Sequence, residues 1–392
     1  MIDLNIDINL KDLYPRPLNM PEVPPTFYKS LAGADPLVSQ YQIFKGSKHS
    51  PFLAPRGVLL DKNLLAVSDT GQNRVFIWKK VPKEEFAEPD IVLGQTNSDS
   101  TGRNSGLSVT ACTLHYPSGI WSDGEKLIVA DAWNHRVLIW HRFPEINGQP
   151  ADVVLGQPGF ETNEPNVHGI GSLPSSQSLN WPYGVFVKDN QLFIADTGNR
   201  RILYFKSIPE NNYAKADGVI GKKDFETRDY ENNEPIWPYS LHINDQGNLS
   251  VADTQFYRNL IWKKWEDAFE KEADLIIGQN GFNDAGQNQF HLFPKENTMN
   301  WTYTSHFYKN GIFIADTGNS RLLWFSKLPD RNNSPADNLI GHDNFNTGSE
   351  NQNTKYGTES QLYWPFSISS YKNKLAIADT GNHRVVLTEL TI

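Results

Sequence analysis

The chain of 392 residues contains a single cysteine, Cys112. One thiol excludes an intramolecular disulfide, and with it the small secreted scaffolds that rely on them, and it suits a reducing compartment. No run of eighteen apolar residues occurs, so a helical membrane span is excluded and no membrane partner is expected. No basic-then-apolar leader follows Met1, which sets the expectation of a cytoplasmic protein. Cationic excess is lacking too: 36 Lys and Arg stand against 45 Asp and Glu, for a formal charge of −9. Phosphate backbones are held by clustered Lys and Arg, so nucleic acid is not an expected partner, short of a local basic patch. No Gly-x-Ser-x-Gly, phosphate loop, dinucleotide fingerprint, His-x-x-x-His pair or His/Cys cluster is present. Nor does any segment keep a 3.6-residue apolar period, although Lys264–Glu272 suits a helical turn or two.

What is present is repetition. One phrase occurs six times, as Ser-Asp-Thr-Gly-Gln-Asn-Arg (68–74), Ala-Asp-Ala-Trp-Asn-His-Arg (130–136) and Ala-Asp-Thr-Gly-Asn-Arg-Arg (195–201), then at 252–258, 315–321 and 378–384. Its aspartates are Asp69, Asp131, Asp196, Asp253, Asp316 and Asp379, each followed five residues later by Arg74, Arg136, Arg201, Arg258, Arg321 or Arg384. A second landmark precedes each aspartate: Ala54-Pro55, Tyr116-Pro117, Trp181-Pro182, Trp237-Pro238, Trp301-Thr302 and Trp364-Pro365. A third follows, at Gly94, Gly156, Gly221, Gly278 and Gly341. A period of about 60 residues is long for a helical solenoid unit and suits one blade of a β-propeller.

Each period carries four short strand-like runs rich in β-branched and aromatic residues, in the third Val185–Val187, Gln191–Ala195, Arg201–Phe205 and Gly218–Ile220. The Thr-Gly-Asn stretch is expected to supply positive-φ positions for a tight hairpin. The sixth repeat ends thirteen residues past Asp379 and lacks a fourth strand, whereas Ala34–Gln40 matches Ala151–Gln157. A propeller closes to remove its exposed edges. Residues near 36–40 are therefore expected to complete the last blade. The predicted fold is all-β: six four-stranded blades over 34–392, preceded by an extended, proline-containing arm at 1–33.

The repeated Ala-Asp-Thr-Gly-Asn-x-Arg phrase resembles the NHL-repeat family of six-bladed β-propellers, over about residues 34–392. Blades two and four depart from it, with Ala132-Trp133-Asn134 and Gln255-Phe256-Tyr257 in the turn. The resemblance implies a ring whose second-to-third turns and long links, about 95–116, 157–181, 222–237, 279–301 and 342–364, share one face. Long loops on a rigid scaffold are where binding residues usually sit.

The position after each landmark proline opens an innermost strand at the channel mouth. It reads Arg56, Ser118, Tyr183, Tyr239, Tyr303 and Phe366. Such an aromatic cup with one guanidinium suits a carboxylate-bearing or peptide ligand, or else the rings plug the mouth and pack on each other. Three residues further along stand Leu59, Trp121, Phe186, His242, His306 and Ser369. His242 and His306 lie in adjacent blades at one height, so they either share a divalent metal or simply line the channel; no Asp or Glu stands at that level as a third ligand. The six Asp and Arg residues read as structural, since a set repeated in every blade is not a site. The landmark tryptophans read as packing between blades. Trp133, Phe256 and Tyr257, large residues on turns, are candidate partner contacts.

The expectation is a non-catalytic binding propeller that offers one loop-rich face and an aromatic mouth to a protein, peptide or small ligand, with no cofactor. The alternative is a metal-dependent lyase or hydrolase with its site on the axis, as in related six-bladed propellers. RNA binding, known in some NHL propellers, is a weaker one.

Overall fold

The computed structural model describes residues 37–231, 233–354 and 357–392. The expected arm at 1–33 lies outside them. The described residues form six four-stranded antiparallel sheets, one per sequence repeat. Blade 3 has strands Pro182–Lys188, Gln191–Asp196, Arg201–Phe205 and Gly218–Ile220, in that spatial order. The first strands of consecutive blades are neighbours, and that of blade 1 meets that of blade 6. There Val58 donates its N–H to the Ser367 hydroxyl at 3.4 Å and Leu60 donates to the Ser369 hydroxyl at 3.0 Å, both on the sixth blade. The segment at 264–272 makes one short helical turn, Trp265–Phe269.

The ring closes as expected, through a strand from the start of the chain. Val38–Phe44 pairs antiparallel with Arg384–Leu390, from Val38 opposite Leu390 to Phe44 opposite Val385. The strand reaches further along the chain than 36–40. Phe44, opposite the residue after Arg384, takes the place that Leu155 holds opposite Val137 in blade 2. A bulge between Ser39 and Tyr41, with Gln40 at φ 55°, separates it from the preceding residues. Phe44 is fully buried, edge-on to Trp78 at 4.6 Å and to Phe52 at 5.6 Å, so the closing strand also packs on blade 1.

The repeated phrase is structural, by a mechanism visible in every blade. Asp196 Oδ2 accepts from Arg201 Nε at 2.8 Å and from Asn199 at 2.8 Å, while Oδ1 accepts the N–H of Asn180, sixteen residues earlier. The carboxylate thus holds the entry to its own blade and makes no side-chain bond to the backbone of its turn. The arginine ties neighbouring links together. Arg136 donates to Thr110 and Thr113 in the link before its blade and to Phe160 in the link after it. The threonines tie blade to blade: Thr197 donates to Pro238 O at 2.7 Å, and Thr380 donates to Pro55 O across the closure.

The turn differs from expectation in one respect. Its positive-φ residue is the one after Thr-Gly-Asn, for example Arg200 (φ 59°) and His383 (φ 52°). The glycine is needed for closeness instead, since a Cβ on Gly198 would lie 2.6 Å from Asn180 and one on Gly381 would lie 2.4 Å from Tyr363.

Candidate functional site

The axis is lined by the innermost strands. Their opening residues come together as a tier, and its aromatics largely fill the mouth. Tyr183 stacks on Tyr239 (4.7 Å, 14°), Tyr239 meets Tyr303 edge-on (4.5 Å), and Tyr303 meets Phe366 (4.2 Å). Tyr239 and Phe366 are buried. The Tyr239 hydroxyl reaches Ser118 Oγ, two blades away, at 3.1 Å. Arg56 lies over the Phe366 ring at 4.1 Å and the Tyr116 ring at 5.0 Å. Burial pushes the hydroxyls of Tyr116 and Tyr303 up to about 12 and raises that of Tyr183 as well, so all three remain hydrogen-bond donors at neutral pH.

Behind this tier runs a cavity of about 290 Å³, lined by Leu59, Trp121, Phe186, His242, His306 and Ser369 among others. The two histidines stack, with ring centroids 4.4 Å apart and planes at 20°. His242 Nδ1 accepts the N–H of Phe307 at 2.9 Å, and His306 Nε2 bonds Ser370 Oγ at 2.8 Å. Each ring therefore commits one nitrogen to the protein. A metal would have the other two, and among the described residues no group of three His, Cys, Asp or Glu is placed to hold an ion.

Burial, joined for His242 by the charge of its neighbour, holds His242 well below its ordinary value and brings His306 down to about 4. Both rings are neutral at pH 7. An unfolded chain titrates its histidines near 6.5, so below that pH it binds protons that the folded chain does not. Folding stability, complete above about pH 6.5, is expected to fall as the pH drops toward 4, with His135 and His342, also lowered to about 4, acting in the same sense. Denaturant titrations at pH 7 and pH 4.5 will show a smaller loss for His306→Gln than for the parent; an equal loss would mean that His306 is solvated.

The links and turns occupy the face around the mouth. Of the thirteen large hydrophobic side chains exposed among the described residues, twelve lie on the links, the turns or the segment entering blade 1; the exception is Ile146. Trp181, Trp301 and Trp364 are 40%, 47% and 41% exposed. They are half-exposed on this face because their backbones are left-handed, at φ 49°, 48° and 50°, while the expected packing between blades holds for Trp181, whose ring lies 6.5 Å from half-buried Trp237 and 6.1 Å from His135. In that conformation the N–H turns back to the preceding blade, as when Trp181 donates to His135 Nδ1 at 3.1 Å, and the side chain is directed out of the ladder.

Trp133 is exposed, stacked on Tyr116 at 4.6 Å, and its Nε1 approaches the Tyr183 hydroxyl at 3.4 Å. It therefore adjoins the mouth tier. Phe256 and Tyr257 are half-buried on the turn of blade 4, with blade 3 between them and Trp133. Phe256 packs on Tyr230 and Arg258.

Sequence reasoning missed the residues that hold the links in place. Asn104, Asn166, Asn288 and Asn351 each exchange paired amide hydrogen bonds with the turn asparagine of the next blade: Asn134, Asn199, Asn319 and Asn382. Each link asparagine is left-handed, followed by a second left-handed residue. The apolar tips come just after these anchors: Leu107, 77% exposed; Ile170, 98%; Phe290, 88%; and Leu292, 87%. The link face is thus held by a hydrogen-bonded base beneath its exposed apolar groups.

No protein-family model matches the chain. A stretch of 153 residues, 38% of the chain, is 28% identical to NHL repeat-containing protein 2 of Gallus gallus and spans 18% of that protein's length. Among solved structures, a structural-genomics protein of unknown function from Bacteroides thetaiotaomicron is 10% identical, with a TM-score of 0.48, over 89% of this chain and 75% of that one. Chaetomium thermophilum Raptor is 10% identical, with a TM-score of 0.45, over 91% of this chain and 29% of that one. Six four-stranded blades, each built on the same buried Asp–Arg pair, make the chain a six-bladed β-propeller, similar over part of its length to an NHL repeat-containing protein.

Proposed function

We propose that the protein is a non-catalytic binding module whose link face docks a protein or peptide. The observation that carries this reading is the concentration of exposed apolar side chains on that face, twelve of thirteen. Apolar surface gathered on one side, rather than scattered singly, marks an interaction surface. Tryptophan and tyrosine are the side chains from which interfaces draw most of their energy. Here Trp181, Trp301 and Trp364 are presented on a scaffold held by asparagine pairs, so little ordering remains to oppose association. The expected contacts Trp133, Phe256 and Tyr257 belong to the same face, with Trp133 the most available of the three. Among the described residues no helix is long and apolar enough to cross a membrane. The one cysteine, Cys112, is exposed and free, which fits a reducing, cytoplasmic setting.

The test is a triple variant, Trp181→Ser, Trp301→Ser and Trp364→Ser. These side chains are half outside the fold, so the melting temperature should stay close to that of the parent. Loss of a buried interface tryptophan costs about 2 kcal/mol or more, roughly thirtyfold in affinity for each one that is engaged. A partner recovered by the parent and lost by the triple variant supports the reading. Recovery of every partner by both proteins overturns it.

A further inference from the structure

We propose that the axial cavity binds a small organic monocarboxylate, anchored by Arg56. This site lies behind the mouth tier and does not depend on the link-face reading.

Arg56 differs from the repeated arginines. Arg74, Arg136, Arg201, Arg258, Arg321 and Arg384 each pair with an aspartate within 2.8 Å. Arg56 is enclosed by aromatic rings and hydrogen-bonded to the Tyr239 hydroxyl, and among the described residues no carboxylate lies within ion-pair distance of it. Its guanidinium is charged at every accessible pH. A desolvated charge is unfavourable unless it is paired, and aromatic faces compensate only part of that cost. An acidic chain that keeps one unpaired cation on its axis has a local positive field there, opposite to its overall charge.

The rest of the cavity wall preserves that field. Among the described residues, the only other formally charged one lining it is Asp61. Asp61 ends the strand Gly57–Asp61 that Arg56 immediately precedes, and so lies about 17 Å from Arg56 at a strand's rise per residue. His242 and His306 are neutral. Further donors surround the site. The Tyr183 and Tyr303 hydroxyls, which feel the charge of Arg56, stay protonated, and elsewhere on the cavity wall Ser240 Oγ has no hydrogen-bond partner among the described residues, like Arg56 Nε itself. Beyond them Leu59, Ile120, Trp121 and Phe186 supply an apolar wall.

One planar cation, hydroxyl donors beside it and an apolar chamber behind it match a carboxylate attached to an apolar body. Guanidinium and carboxylate are geometric complements. A single cation suits a monoanion. The contact between Tyr239 and Ser118, with the stacked rings around it, bars a folded partner from this depth, so the ligand is a small molecule.

The experiment is calorimetric titration of the full chain with benzoate, with 4-methylpentanoate, and with benzamide as the uncharged counterpart of benzoate. Saturable binding at one site is expected for at least one of the carboxylates, with benzamide weaker by about tenfold or more. Arg56→Gln should lose carboxylate binding by a similar factor while unfolding at a similar temperature, and Arg56→Lys should fall between. The triple tryptophan variant should bind carboxylates as the parent does, which separates this site from the link face. The proposal is overturned if neither carboxylate binds the parent at millimolar concentration, or if benzamide binds as well as benzoate. The comparison with benzamide is made on the parent protein and stays decisive even if Arg56→Gln does not fold. Equal binding by a folded Arg56→Gln overturns it too.

Discussion

Replacing Val38–Phe44 in the full chain by a flexible Gly/Ser heptapeptide will leave a ring that does not close, and the protein will lose most of its stability. Six residue pairs join this strand to Arg384–Leu390. Each ladder hydrogen bond contributes about 0.5–1.5 kcal/mol net. Phe44, fully buried against Trp78 and Phe52, adds about 3–5 kcal/mol by the usual cost of removing a core phenylalanine. With about one bond per residue pair the total is on the order of 6–14 kcal/mol, comparable with the whole stability of an ordinary domain. It is also the loss with the widest reach, because it exposes Arg384–Leu390 as an unpaired edge and uncovers the flank of blade 1. Thermal unfolding of this variant beside the parent is the measurement. An unchanged melting temperature would show that the six blades stand without the clasp. A milder version, Phe44→Ala alone, should lower stability by the phenylalanine share only.

How much of this was legible beforehand depends on the kind of signal. Anything stated six times was readable: the blade count, the four strands, the structural status of the Asp–Arg pairs and the height at which His242 meets His306. Closure was readable from the missing fourth strand of the last repeat, although the register was not. Leu37-Val38 resembles Val154-Leu155, but the residue that fills the position of Leu155 is Phe44, because that position requires bulk against Trp78 more than likeness to a repeat. The outward display of Trp181, Trp301 and Trp364 was not readable, since an aromatic that recurs before a strand reads as packing between blades until its φ is known to be positive. The asparagine pairs left a signal that could have been used. Phe256 stands where blades 2, 3, 5 and 6 have a turn asparagine, and the link that precedes blade 4, 222–237, is the shortest of the five. The two losses coincide because each asparagine exists to hold the other. Lys222, where Gln157 and Gln279 sit in their blades, instead pairs with Glu234 at 2.8 Å to hold the short link.

The second large effect concerns those repeated pairs. Asp196→Ala will destabilise the protein by about 3–5 kcal/mol, the usual consequence of stranding a buried charge. Arg201 is fully buried, and Asp196 is its one carboxylate partner among the described residues. Removing the carboxylate also frees the N–H of Asn180 and one donor of Asn199, so the entry to blade 3 and the pairing of Asn199 with Asn166 lose their shared acceptor. The informative comparison is the double variant Asp196→Ala, Arg201→Met. With both charges gone, the desolvation of the guanidinium no longer opposes folding, and the double variant should be less destabilised than the sum of the two single variants. Its deficit will not vanish. Arg201 also donates to Ser175 and Ser178 in one link and to Phe225 in the next, and methionine replaces none of these bonds. Chemical denaturation of the four proteins yields the coupling directly. Strict additivity would mean that aspartate and arginine serve the blade independently, the carboxylate as an anchor for the strand entry and the guanidinium as a tie between links, with the ion pair between them contributing nothing of its own.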